Sequence, residues 1–325
     1  MALQTFINTL IENVPEKHLP KKIDLVLDGG AFNGVYMLGS LFYIKELERS
    51  NKIKVNKVSG CSIGAIIGLL FLLDKMDISI GICNDCYKYL RKHQDLKKVI
   101  VKFKKTMNEI ISEEDVNIVN NRFYLTYFDT IKGEQIVKKR YKNKAELIDN
   151  IIKSLYVPYL MEGKATDNDG CIDGAFPYMF KTKDNGSKVL FLNLQSLDKI
   201  KNMIFIKNEK NIYSRLLEGL MDTHQFFEKN VANNLCSYVN DWNMIDILFF
   251  RLREIVYIIL VYIFRLGLHI DDLLPERFKK DAFIRQHISV FKNIWRDIRK
   301  YDHSAVSARE GIGKSTLQSA GLQPI

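Results

Sequence analysis

The segment Ile23 to Leu27 (IDLVL) is apolar apart from Asp24, with Lys21 and Lys22 before it and glycines after it, which predicts a short buried strand. From Gly34 the period changes: Met37, Leu41, Ile44 and Leu47 recur at helical spacing, and the pattern ends near Glu48 and Arg49. A second unit repeats the first. IKVNKVSG alternates and stops at Gly60, and SIGAIIGLLFLL then runs almost unbroken for the length of a helix. Two strand-turn-helix units in succession predict an α/β fold with a mostly parallel sheet covered by helices. In such sheets ligands bind at the carboxyl ends of the strands, where both glycine turns fall.

Further along, DLKKVIVKFKKTMNEI mixes lysines with Val99, Ile100, Val101 and Phe103 and reads as the solvated face of a helix or strand. NRFYLTYFDTIKGEQIV predicts two strands joined by a turn at Lys132 and Gly133, and NKAELIDNIIKSLYVPYL a helix ended by Pro158. NDGCIDGAFPYMF reads as a loop with a strand-like centre, and KVLFLNLQSL as one more buried strand. Beyond about residue 230 the chain turns to long apolar helices with basic residues, and from Ser304 to a tail rich in small residues. GIGKST in that tail has Ala308 where a phosphate loop needs glycine, and no strand precedes it, so no nucleotide site is expected there.

At 325 residues and 47% hydrophobic, the chain can bury a sizeable core. Its net charge of +10 permits an anionic partner; the lysines are scattered and no groove-reading motif occurs, so a membrane surface is expected rather than nucleic acid. Five cysteines do not form a disulfide framework. Cys83 and Cys86 make a lone CxxC on a helix-like stretch, and no metal site is expected from them. MALQTFINTLIENVPEKHLPKK lacks the charge order and apolar length of a secretory signal, which points to an intracellular, cytoplasmic protein.

The candidate chemistry lies in the turns. Gly60-Cys61-Ser62-Ile63-Gly64 is a GxSxG sequence between a strand and a helix, the pattern of a nucleophile elbow that holds Ser62 on a sharp bend. An acyl-transfer serine needs N–H groups aimed at the oxyanion, and Gly29, Gly30 and Ala31 in DGGAFNG are the candidate donors. That turn lacks the spacing of a dinucleotide fingerprint, and no acidic residue ends the second strand at Ser59. For the base, Asp173 in CIDGAFP stands at a strand end before Gly174, although an Asp-Gly pair is equally a plain turn. Of the histidines, His224 is the best placed and reads as a residue on an ordinary helix face.

The order LVLDGGAFNG, GCSIG, DGA resembles the patatin-like phospholipases, whose signatures are a DGGGxRG-type oxyanion loop, a GxSxG elbow and a DGA or DGG aspartate. FYLTYFDTIKGEQIV and SLYVPYL, with Ser154 and Pro158, are similar to the family's intervening stretches, so that the resemblance covers Lys22 to Leu197. It implies a three-layer α/β/α fold with a mostly parallel central sheet, here followed by a C-terminal helical region. It also implies a Ser62-Asp173 dyad, an oxyanion hole from the loop that ends at Asn33 and Gly34, and a DGA motif of Asp173, Gly174 and Ala175. Hydrolysis of the fatty-acyl esters of an acyl lipid or phospholipid would then proceed without metal or organic cofactor. Two positions depart from the family pattern. Ala31 replaces the third glycine, and its amide is expected still to donate with the backbone avoiding positive φ; Asn33 replaces the usual Arg or Lys.

The expected organisation is an N-terminal arm over 1–21, a catalytic domain over 22–230, a helical region over 231–303 and a disordered tail over 304–325. Two other readings remain open: an impaired member that only binds membranes, and an α/β-hydrolase with a Ser62-Asp173-His224 triad. The C-terminal region is expected to bring the protein to membranes peripherally. Ile255 to Phe264 is too short to span a bilayer and is bracketed by Arg251, Arg253, Glu254 and Arg265, so it is either interfacial or a core helix. Ile284, Ile288, Phe291, Trp295 and Ile298 share a helical face beside Arg285, Lys292, Arg296 and Arg299, as on an interfacial basic helix.

Overall fold

The computed structural model describes residues 2–93, 96–158, 166–174, 176–181, 186–196, 198–199 and 212–273. The amphipathic stretch expected around Ile284 to Arg299, the GIGKST tail and Ala175 lie outside the described residues. The chain divides into two compact units, Met1–Ile259 and Leu260–Ile325, and the sheet belongs to the first.

Strands β1 (Lys22–Leu27), β2 (Lys54–Cys61), β3 (Phe123–Asp129), β4 (Glu134–Lys138), β5 (Cys171–Asp173), β6 (Lys188–Leu192) and β7 (Cys236–Tyr238) form a seven-stranded sheet in the order β4-β3-β2-β1-β6-β7, with β5 also on β3. β1, β2, β3 and β6 are parallel neighbours, while β4, β5 and β7 pair antiparallel. The register of β1 on β2 slips between Ile23 and Asp24. Asp24 accommodates the slip: its Oδ1 accepts from the Asn56 side-chain amide at 3.0 Å and the Lys57 N–H at 3.1 Å.

Both faces of the central strands are covered, and side chains alternate between them as a pleated strand requires. Ile23, Leu25 and Leu27 of β1, with Leu190 and Leu192 of β6, enter the larger core. That core lies beneath α1 (Ala2–Glu12), α2 (Gly34–Arg49), α3 (Ile63–Leu72) and α8 (Tyr213–Lys229). Val26, Val189 and Phe191 point the other way, into an aromatic cluster with Phe176, Phe180 and Phe250, the last from α9 (Met244–Leu273). Helices α4 (Met76–His93), α5 (Leu96–Ile110), α6 (Glu113–Val119) and α7 (Lys144–Ser154) complete the described helical elements. The fold is thus α/β with a mixed, mostly parallel sheet flanked by helices.

The structure adds detail to these expectations. In the N-terminal arm, Ile7, Ile11 and Val14 are buried in the main core. β7 pairs with β6, and the first unit runs to Ile259, within α9. Helix α7 ends at Ser154, ahead of Pro158, since the carbonyl of Tyr156 accepts the Asp173 N–H at 2.8 Å and cannot stay in a helix. Residues Ile255 to Phe264 form the middle of α9 rather than a separate element. Cys83 and Cys86 sit on α4, where burial pushes their thiols up to about 12 and about 11.

Candidate active site

Strand β2 passes through Ser62 directly into α3. Ser62 has φ 50° and ψ −128°, a conformation that L-residues rarely adopt, and the residue is 7% exposed. Its N–H donates to the Ser154 Oγ at 2.9 Å, which ties the bend to the end of α7. The bend closes tightly only without side chains. A Cβ on Gly64 would lie 2.6 Å from the Asp28 carbonyl oxygen, so this first turn of α3 packs directly on the start of the DGGAFNG loop. This is the physical content of GxSxG here.

Strand β5 brings Asp173 to the same place. β2 pairs with β3 from Val58↔Phe123 to Cys61↔Thr126, and β5 pairs with β3 from Asp129↔Cys171 to Tyr127↔Asp173. Because β4 occupies the other edge of β3 over Leu125 to Asp129, β2 and β5 share one edge and run toward each other. They meet end to end between Thr126 and Tyr127, so the strand end that leads into Ser62 and the strand end that carries Asp173 are neighbours. Gly174 makes the turn away possible, since a Cβ there would fall on the Thr126 carbonyl. Thr126 Oγ1 and Gln135 Nε2 then donate to the Phe176 carbonyl at 2.9 Å and 2.7 Å, fixing the segment that leaves the site.

Electrostatics agree with this convergence. Burial, followed by the charges of Asp28 and Asp173, pushes the Cys61 thiol well above its ordinary value, which removes it as a competing nucleophile. Tyr257 of α9, packed against the aromatic cluster, is also raised well above its ordinary value, by burial first and then by Asp173 and Cys61.

The glycine loop leaves β1 at Asp28, whose N–H donates to the Leu192 carbonyl at 3.1 Å. Gly29 is corrected as an oxyanion donor: its N–H already donates to Asp28 Oδ1 at 3.0 Å. The N–H groups of Gly30 and Ala31 have no acceptor among the described residues and remain available. Ala31 does not avoid positive φ, as was expected, but has φ 43°. The left-handed region disfavours an L-residue by about 1–2 kcal/mol, a strain that leaves the amide free to donate. The loop ends at the N-terminus of α2, where Gly34 lets the Ile63 side chain of the elbow approach closely.

Asn33 is wholly buried. Its Nδ2 donates to the carbonyls of Leu194 and Lys199, each at 2.9 Å, and its Oδ1 accepts from Arg215 Nη1 at 3.4 Å. Arg215 Nη1 also donates to the Phe32 carbonyl at 3.1 Å. The loop therefore receives a guanidinium from α8, although position 33 carries none. At the other end, Asp28 is bound by Arg253 of α9, Nη1 to Oδ2 at 2.8 Å and Nη2 to Oδ1 at 3.2 Å. Neither arginine stands near the motifs in sequence, and no local signal marks them.

His224 is engaged elsewhere. Its Nδ1 pairs with Tyr43 Oη at 3.0 Å, its Nε2 faces Glu228 at 4.0 Å, and burial lowers its pKa below the ordinary value while Glu228 opposes the shift. Tyr43 stands nine residues beyond Gly34 on α2, about 13 Å along the axis at 1.5 Å per residue, whereas Gly34 is the residue that abuts the elbow. This removes His224 as the third member of a triad. Among the described residues no group of His, Cys, Asp and Glu side chains is arranged to hold a metal ion.

No curated protein matches the chain. The family model Patatin, described as patatin-like phospholipase, matches residues 25–81, which run from β1 through the glycine loop, α2, β2 and the elbow into α4. With the α/β architecture around it, that segment makes this part of the chain similar to the patatin-like phospholipases.

Proposed function

We propose that the protein is a lipid acyl hydrolase of phospholipase A type that works through a Ser62-Asp173 dyad. The observation that supports this reading is the end-to-end meeting of β2 and β5 on one edge of β3, which makes the strand end before Ser62 a neighbour of the one that carries Asp173. Asp173 accepts the Ser62 proton while Oγ attacks the ester carbonyl, and the N–H groups of Gly30 and Ala31 stabilise the oxyanion. The alcohol or lysolipid leaves with the proton from Asp173. Water, deprotonated by the same carboxylate, then attacks the acyl-serine and releases the fatty acid. The chemistry needs no metal or organic cofactor.

The surface where substrate resides is proposed to be an anionic membrane, with the protein cytoplasmic and peripheral. The outward side of α9 supports this: Ile245, Leu248, Leu252, Ile255 and Ile259 recur at helical spacing and are exposed, beside Met244 at 81% exposure. Among the described residues no helix is long and apolar enough to cross a membrane, which suits a helix lying in the interface. The chain's net charge of +10 favours anionic lipid.

The test is a panel of acyl lipids presented as vesicles, with released fatty acid followed by mass spectrometry. Wild type should release fatty acid and react with a fluorophosphonate probe; Ser62→Ala should do neither. Asp173→Asn should lose about 10²- to 10⁴-fold in rate, the usual worth of general-base assistance. Full hydrolysis by either variant would overturn the dyad, and absence of both hydrolysis and labelling in the wild type would overturn the enzyme reading. Flotation of the full chain with phosphatidylserine vesicles should exceed that with phosphatidylcholine and fall in Ile245→Glu/Leu252→Glu.

A further inference from the structure

We propose that Arg253, on α9, is a positioning residue of the active site: by gripping Asp28 it holds the glycine loop in the shape that leaves the Gly30 and Ala31 amides free. The inference rests on the function proposed above and concerns how its oxyanion hole is built.

Asp28 is the hinge of that loop. It follows the last residue of β1, is 0% exposed, and begins the turn that leads to Gly30 and Ala31. Both of its carboxylate oxygens are occupied: Oδ2 by Arg253 Nη1, and Oδ1 by Arg253 Nη2, the Gly29 N–H and Gln195 Nε2, the last at 3.4 Å. Oδ1 therefore decides which way the Gly29 peptide faces. While it accepts the Gly29 N–H, that amide is engaged, and the next two have no acceptor among the described residues.

A carboxylate buried this completely stays ionised only if a cation pairs with it. Burial raises the Asp28 pKa, and the opposing influences are headed by the charge and hydrogen bonds of Arg253. Arg253 is itself held in place, its guanidinium lying 5.0 Å from the Phe250 ring centre and 5.9 Å from that of Phe191. Its planar fork matches both oxygens at once, which a lysine ammonium cannot do.

An ordinary helix-to-sheet ion pair would show the same contact, but two features argue for more. Phe250, Tyr257 and Ile258 already supply α9 with an apolar inner stripe against the aromatic cluster, so packing does not require the pair. Buried ion pairs contribute little net stability compared with apolar replacements, and in some proteins they serve instead to fix one arrangement, the role assigned to Arg253 in this proposal. Here the arrangement fixed is that of the loop against which Gly64 packs.

The experiment uses the full chain and the variants Arg253→Gln, Arg253→Lys and Asp28→Asn/Arg253→Gln, assayed on a soluble short-chain ester and on phosphatidylserine vesicles. Arg253→Gln is expected to lower kcat on the soluble ester by about 10²-fold, approaching the loss of one oxyanion donor, with KM little changed. Arg253→Lys should recover part of kcat. The double variant, which leaves no unpaired buried charge, should fold as stably as wild type while kcat stays low. Amide hydrogen exchange of the peptide over 28–34 should accelerate in Arg253→Gln with that of β2 unchanged. Wild-type kcat in Arg253→Gln, or recovery of full kcat in the double variant, would overturn the proposal. A loss confined to vesicles would overturn it too, by making Arg253 a lipid-headgroup contact. If wild type itself neither hydrolyses the ester nor reacts with the fluorophosphonate, the failure belongs to the proposed function rather than to Arg253.

Discussion

Replacing Ser154 by alanine tests whether the strained elbow is held from outside. Ser154 is fully buried at the end of α7, and its Oγ accepts the Ser62 N–H at 2.9 Å. In Ser154→Ala that N–H loses its acceptor in a place where water has little access. A buried donor left unsatisfied costs about 1–3 kcal/mol. The bond also opposes the tendency of Ser62 to leave φ 50°, ψ −128°, a conformation in which strain is typically about 1–3 kcal/mol. The two do not add, because relaxation of the bend relieves one while restoring the other. We therefore expect unfolding free energy in urea to fall by about 1–3 kcal/mol. A bend that relaxes also shifts Oγ relative to the proposed base, Asp173, and the proposed oxyanion amides, and each 1.4 kcal/mol of lost transition-state stabilisation is about tenfold in rate. Phosphonylation of Ser62 by a fluorophosphonate, with loss of fluoride, should accordingly slow by about tenfold or more in Ser154→Ala. Unchanged stability together with an unchanged phosphonylation rate would refute the reasoning. Lower stability with wild-type phosphonylation would reduce Ser154 to a packing residue.

Ala31→Gly removes the penalty of about 1–2 kcal/mol for φ 43° but adds about 0.4–1 kcal/mol of unfolded-chain freedom, so thermal and urea unfolding should show a gain between zero and about 1.5 kcal/mol; a clear loss would refute the strain. His224→Gln should keep full activity above pH 7, since His224 pairs with Tyr43 and not with the dyad; loss of hydrolysis in a folded variant would revive the triad. The same substitution should alter the acid limb of stability. The folded pKa of His224 lies below its unfolded value, so as pH falls the unfolded chain takes up the proton first; the contribution is whole above about 6.5 and is lost as pH drops through that value toward the folded pKa. Urea unfolding at pH 7.5 and 5 should therefore show a smaller difference for His224→Gln than for wild type.

Where chemistry is local, the sequence determined it. The short apolar run Ile23 to Leu27, the 3.6-residue period from Met37 to Leu47 and the apolar run after Ser62 specify their elements because each depends only on the order of neighbouring side chains. The elbow was legible for the same reason: a serine between a strand and a helix, flanked by glycines, admits few backbone paths. Tertiary structure decided what touches what. β5 is only Cys171–Asp173, too short to carry a period, and its place beyond the end of β2 comes from pairing with β3. Which loop amides stay free depends on the Asp28 carboxylate that captures the Gly29 N–H, and the conformation of Ala31 depends on the path from β1 to α2. Arg215 carries no signal in the sequence, and Arg253 stands there only as one of the charges that bracket Ile255 to Phe264. They become neighbours of the loop only when α8 and α9 pack, because electrostatic and hydrogen-bond energies depend on separation in space, and 225 positions of chain separate Arg253 from the aspartate it holds.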